Sequence, residues 1–189
     1  MSAPKLALSA IVGGIIVFCW GFVSWDLLAL HPLGTFTNED AVAAAIRANA
    51  PTSGVYLIPS ANQPAAGADK AAQEKMMEDR EHTGPIVLAA VQTGGMSLSI
   101  PVFFVRGLCI DVIGALFVSI LLGMPTGATY GKRVLFAALI GLTAGLLVSA
   151  PNWGWWGFSS KYIACEFVDL IASWTLAGLA MAKLVPARS

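Results

Sequence analysis

The feature that most constrains this chain is the spacing of its apolar runs. One extends from about Leu6 to Leu30, a polar stretch of roughly 65 residues follows, and three more runs come with short connections: about Val102 to Met124, Val134 to Ala150 and Tyr162 to Val185. Each is close to the roughly 20 residues that an α-helix needs to cross the hydrocarbon layer of a bilayer. The polar stretch is too long for a turn and too poor in apolar residues for another span. The pattern predicts a membrane, mainly α protein: four transmembrane helices with a small α+β extracytoplasmic cap inserted between helices 1 and 2. The divisions are 1–30 for the first helix, 31–101 for the cap, 102–185 for helices 2 to 4 with an aromatic outer loop at 151–161, and 186–189 for a cytoplasmic tail.

Composition agrees. Hydrophobic residues make up 57% of the chain and charged residues 12%, against about 45–50% and 25% in soluble domains. The 189 residues leave no room for a large catalytic domain beside four spans. Formal charge is zero and the basic residues are scattered, so the electrostatic footprint of a nucleic-acid binder is missing. Cys19, Cys109 and Cys165 fall inside predicted spans without a C-x-x-C spacing, which argues against a disulfide framework or a zinc site. The first apolar run exceeds a signal core and lacks a small-x-small cleavage site after it, so it reads as a retained helix.

Basic residues near the span ends set the expected orientation. Lys5, Lys132, Arg133, Lys183 and Arg188 fall on one side, against Lys161 and Arg106 on the other. Both termini are therefore expected in the cytoplasm, and the cap in the periplasm of a bacterial inner membrane. Within the cap, Thr37 reads as the N-cap of a helix through Ala48, with Asp40 three residues on. Val55 to Ile58 reads as a short strand, Ser60 to Ala68 as a loop, and Asp69 to His82 as a solvated helix. Ile86 to Gln92 and Ser97 to Val105 flank Thr93-Gly94-Gly95-Met96 as a candidate hairpin.

Ionisable residues inside apolar runs carry the sharpest functional signal. A charge at the bilayer centre costs roughly 2.5–3.5 kcal/mol on insertion scales, so each should face the bundle or water and have a partner. Arg106 and Asp111 on span two, with Glu166 and Asp169 one turn apart on span four, form a candidate buried polar cluster. Asp26 lies at the outer boundary. His31 precedes Pro32 at the membrane exit and could lie above the acids, while Asp79 and His82 read as solvated surface residues. No H-x-x-H or nucleophile elbow is present, so neither a catalytic nor a metal site is assigned, and no enzyme activity is expected.

Two further sets are structural in character. Gly13, Gly14, Gly141 and Gly145 mark helix faces where another backbone can approach closely. Trp153, Trp155, Trp156 and Phe158, in the segment from Pro151 to Phe158, suit a headgroup belt, or alternatively a stacking or docking platform for a lipid, quinone, pigment or neighbouring protein. No other cofactor is expected.

The chain resembles a scattered group of uncharacterised bacterial four-helix inner-membrane proteins that share a long periplasmic loop after the first helix and an aromatic segment before the last. The residues that carry the resemblance are Trp25 through Pro32, Phe36-Thr37, Pro51 through Pro59, Pro151 through Phe158, and Asp169. The resemblance implies the topology and brings no activity with it. Taken together, the sequence favours a non-catalytic accessory or assembly subunit of a larger integral membrane complex, in contact with membrane lipids. The alternatives are a small proton or cation transporter using Asp111, Glu166 and Asp169, and a lipid- or quinone-binding membrane protein.

Overall fold

The computed structural model describes residues 3–60, 69–96 and 100–185. Four helices in it are long and apolar enough to cross a membrane. The first, α1 (Ala3–Phe22), continues through a π-helical turn at Val23–Leu27. Helix α2 (Glu39–Asn49), strand β1 (Gly54–Ile58), helix α3 (Lys70–Thr83) and strand β2 (Val87–Val91) follow. Then come α4 (Ile100–Leu122), α5 (Tyr130–Ala144), a second π turn at Gly145–Ser149 leading directly into α6 (Ala150–Trp156), and α7 (Ser160–Leu184).

The chain divides into two compact units, residues 1–33, 98–154 and 158–189 in the first and 34–97 with 155–157 in the second. In the first, α1 packs against α4 and α7, and α7 packs in turn against α5. Close approach is possible because glycine at four contact positions removes the Cβ that would meet the neighbouring helix. A Cβ at Gly14 would stand 2.6 Å from the Val112 backbone, one at Gly13 would strike the Met181 side chain, one at Gly141 would meet the Leu170 carbonyl, and one at Gly145 would crowd the Phe167 ring. Ala115, Val118, Leu122, Ala177, Met181 and Val185 form the buried core. In a bilayer, whose lipid tails are as apolar as leucine, packing of this kind and hydrogen bonds between helices would hold such a bundle together. Ser119 supplies one such bond, donating to Ser9 at 2.9 Å with both side chains fully buried.

At one end of this unit the start of α5 grips the end of α7. Tyr130 donates to the Leu179 carbonyl at 2.9 Å, and the buried Arg133 guanidinium donates to the Val185 carbonyl. A cation there satisfies a carbonyl that the helix leaves unpaired and complements the negative end of its dipole.

Within the second unit, β1 and β2 pair antiparallel with Tyr56 opposite Ala89. The hairpin expected around Thr93-Gly94-Gly95 does not form: β2 pairs backward with β1, and the residues from Ile100 onward are helical, while 97–99 lie outside the described residues. The Val55-Tyr56-Leu57 run, rich in β-formers, is the better partner. Ser53 closes the ladder by accepting from the Thr93 N–H at 3.1 Å. The loop expected over Ser60 to Ala68 is described only at Ser60.

Two other expectations are corrected. Asn38, not Thr37, caps α2, its side chain accepting from the Ala41 N–H at 2.9 Å; asparagine is among the strongest N-cap residues. The aromatic segment is not a loop for most of its length, because the third long helix runs to Trp156 and turns only at Gly157, with φ of 69°. Pro151, near the start of α6, has no N–H to donate. The π turn just before it, in which Ala150 donates to the Gly145 carbonyl, widens the helix where the regular ladder would be broken. Asp69 caps α3, its side chain accepting from the Ala72 N–H at 2.8 Å.

Candidate functional site

The site is built where the chain leaves α1. After the π turn, Leu28 donates to the Val23 carbonyl and Leu30 to the Ser24 carbonyl, and Ala29 sits at φ 45°. A non-glycine residue in the left-handed region is uncommon, at a cost of roughly 1–2 kcal/mol, and such positions concentrate at functional sites. The turn folds His31 back against the bundle, with its side chain only 1% exposed.

Two carboxylates from α7 face the imidazole. Nε2 of His31 lies 3.3 Å from Oε1 of Glu166 and 3.8 Å from Oδ2 of Asp169. Neither contact is aligned for a hydrogen bond, and Nδ1 has no partner among the described residues. The second oxygen of each acid is occupied elsewhere: the Trp20 indole N–H donates to Oδ1 of Asp169, and the Ser149 hydroxyl donates to Oε2 of Glu166 at 3.4 Å. Each carboxylate is thus held from behind, and its remaining oxygen is the one nearer the imidazole.

Aromatic rings enclose the other sides. Trp25 stacks on His31 with centroids 3.8 Å apart and planes 6° from parallel, Tyr162 meets it edge-on at 6.0 Å, and Phe158 meets Tyr162 edge-on at 5.8 Å. Both π turns border the site, the first leading to the His31 turn and the second ending at Ser149. Turns of this type are frequent at functional sites.

Burying an imidazole with neither nitrogen hydrogen-bonded costs about 1–3 kcal/mol. Attraction between unit charges about 4 Å apart amounts to about 4 kcal/mol at an effective dielectric near 20, before screening at the partly exposed acids. The groups nearest Nε2 are two carboxylate oxygens, both on α7. Among the described residues no group of three histidine, cysteine or acidic side chains closes around a metal ion.

The expected polar cluster is divided. Glu166 and Asp169 come together on one face of α7, both facing Nε2 of His31. Arg106 is exposed, and neither it nor Asp111 forms an ion pair or side-chain hydrogen bond among the described residues. Ser149 and Tyr162 were not singled out by sequence reasoning, and nothing in the sequence linked Trp20 to Asp169. Their partners lie up to 149 residues away, and nothing local marks such pairings. Of the aromatic set, Phe158 lies against Tyr162, Trp153 donates to the Ser160 hydroxyl at 3.1 Å, and Trp155 and Trp156 are exposed.

The chain matches no family model, no curated protein and no solved structure.

Proposed function

We propose that the chain is a non-catalytic accessory subunit of a larger bacterial inner-membrane complex, with both termini cytoplasmic and the 31–101 region periplasmic. The observation that carries this reading is Asp111. It is the twelfth of the 23 residues of α4, half-buried, and without a polar partner among the described residues. A carboxyl group at mid-membrane depth costs roughly 2.5–3.5 kcal/mol and is ordinarily paired. Since the described residues supply no pair, a hydrogen-bonding or basic side chain on a neighbouring subunit is the natural one.

The position of α4 favours the same conclusion. It packs on α1 and makes only slight contact with α5, while Ile110, Ile113 and Phe117 stay exposed along its outer side. The orientation is supported by Lys5, Lys132, Arg133 and Lys183 at the starts of α1 and α5 and the end of α7. Native mass spectrometry of the particle extracted in mild detergent, with peptide identification, tests the reading. We expect co-migration with larger membrane subunits, reduced about tenfold by Asp111→Leu, the loss that one interhelical polar contact of about 1–2 kcal/mol would produce. A lone monomer in both proteins would overturn it.

A further inference from the structure

We propose that His31, Glu166 and Asp169 form a proton-binding site, in which an imidazolium at His31 is held by the facing oxygens of the two carboxylates. This goes beyond the accessory role and does not depend on it. A histidine buried for structural reasons ordinarily has its tautomer fixed by a hydrogen bond to one ring nitrogen. Among the described residues His31 has none on either nitrogen, although its side chain is 1% exposed.

The two acids are prepared for the charged state. Trp20 and Ser149 engage Oδ1 of Asp169 and Oε2 of Glu166, which leaves Oδ2 and Oε1 as the oxygens nearest Nε2. The 3.3 Å separation on the Glu166 side exceeds an N–H···O hydrogen bond by only a few tenths of an ångström. A proton occupies this gap without needing the coordination shell that a metal ion demands. The step is uptake from water at the membrane boundary: a ring-nitrogen lone pair takes H⁺, an N–H bond forms, and the net charge of the three groups rises from −2 to −1. Among other titratable groups nearby, Tyr162 meets the ring edge-on, whereas Asp26 beside Trp25 and Lys161 at the start of α7 are exposed.

The chain has two histidines, and His82 is on an exposed helix, so it serves as an internal reference. The full chain, labelled with ¹⁵N-histidine and reconstituted in lipid nanodiscs, is titrated by NMR alongside Glu166→Gln, Asp169→Asn and Trp20→Phe. We expect each neutralising substitution to weaken proton uptake at His31 about tenfold or more, moving its midpoint down by about one pH unit, while His82 stays in place. Trp20→Phe, which keeps both charges, should move it less. A His31 signal insensitive to both neutralising substitutions would overturn the proposal. So would a His31 ring in the parent protein that stays neutral to the acid limit of folding, a result that stands even if the charge variants fail to assemble.

Discussion

Ala29 is the residue whose chemistry fits its position least. Its φ of 45° is the conformation that lets the chain reverse after α1 and return His31 to the bundle, yet alanine has a Cβ that this conformation crowds. Glycine would remove that crowding, at some cost in unfolded-chain entropy. Ala29→Gly should therefore stabilise the protein by up to about 1 kcal/mol, and Ala29→Val should destabilise it by more than that, as read by unfolding in mixed detergent micelles. If both variants unfold like the parent, the reversal at Ala29 does not hold the His31 turn in place. No sequence signal marks this residue, because asparagine or glycine is what a left-handed turn normally advertises.

At the scale of elements, the long helices were legible and their contacts were partly so. Apolar length alone locates α1, α4, the α5–α6 helix and α7 to within a few residues at most ends, and the glycine positions mark faces that do lie against neighbours here. Gly141 stands against the Leu170 backbone, where the only room is that left by a missing Cβ. Gly141→Leu should force α5 and α7 apart and cost about 1–3 kcal/mol or more, whereas Gly131→Leu, with open space around it, should cost far less. Equal losses at the two positions would refute the packing argument. What the sequence withheld was the hydrogen bonding across helices. Turn chemistry suggested a local hairpin at Thr93-Gly94-Gly95, but strand quality paired β2 with the earlier β1, and period-based reading has no means of seeing an indole of α1 bonded to a carboxylate of α7. The acids were visible as oddities in an apolar helix, and His31 at the membrane exit as a residue able to lie above them; its burial against both carboxylates was not visible.

For the whole molecule, the distribution of polar side chains along the bundle is the informative quantity. Lys5, Lys132, Arg133 and Lys183 belong to one end, and the His31 site to the other, because α1 leaves the bundle where α7 enters it. With the basic end cytoplasmic, a chain in which Cys19, Cys109 and Cys165 are replaced by serine should expose a cysteine at Lys132 to the cytoplasm and one at Ser53 to the periplasm. Labelling of intact cells with a membrane-impermeant maleimide separates the two: reaction at 53 and none at 132 is expected. The reverse pattern would invert the orientation and place the histidine site at the cytoplasmic boundary.

The Ser53–Thr93 contact has a genetic consequence. The segment from residue 54 to residue 92 begins and ends at one spot, with Gly54 paired to Val91 and the two flanking hydroxyls 3.2 Å apart. A coding region whose product departs from and returns to the same point behaves as a cassette: it can be excised, exchanged or lengthened without asking the flanking polypeptide to span a new distance. Selection could rewrite that insert freely while the helices that accept it stayed under their own, separate constraints.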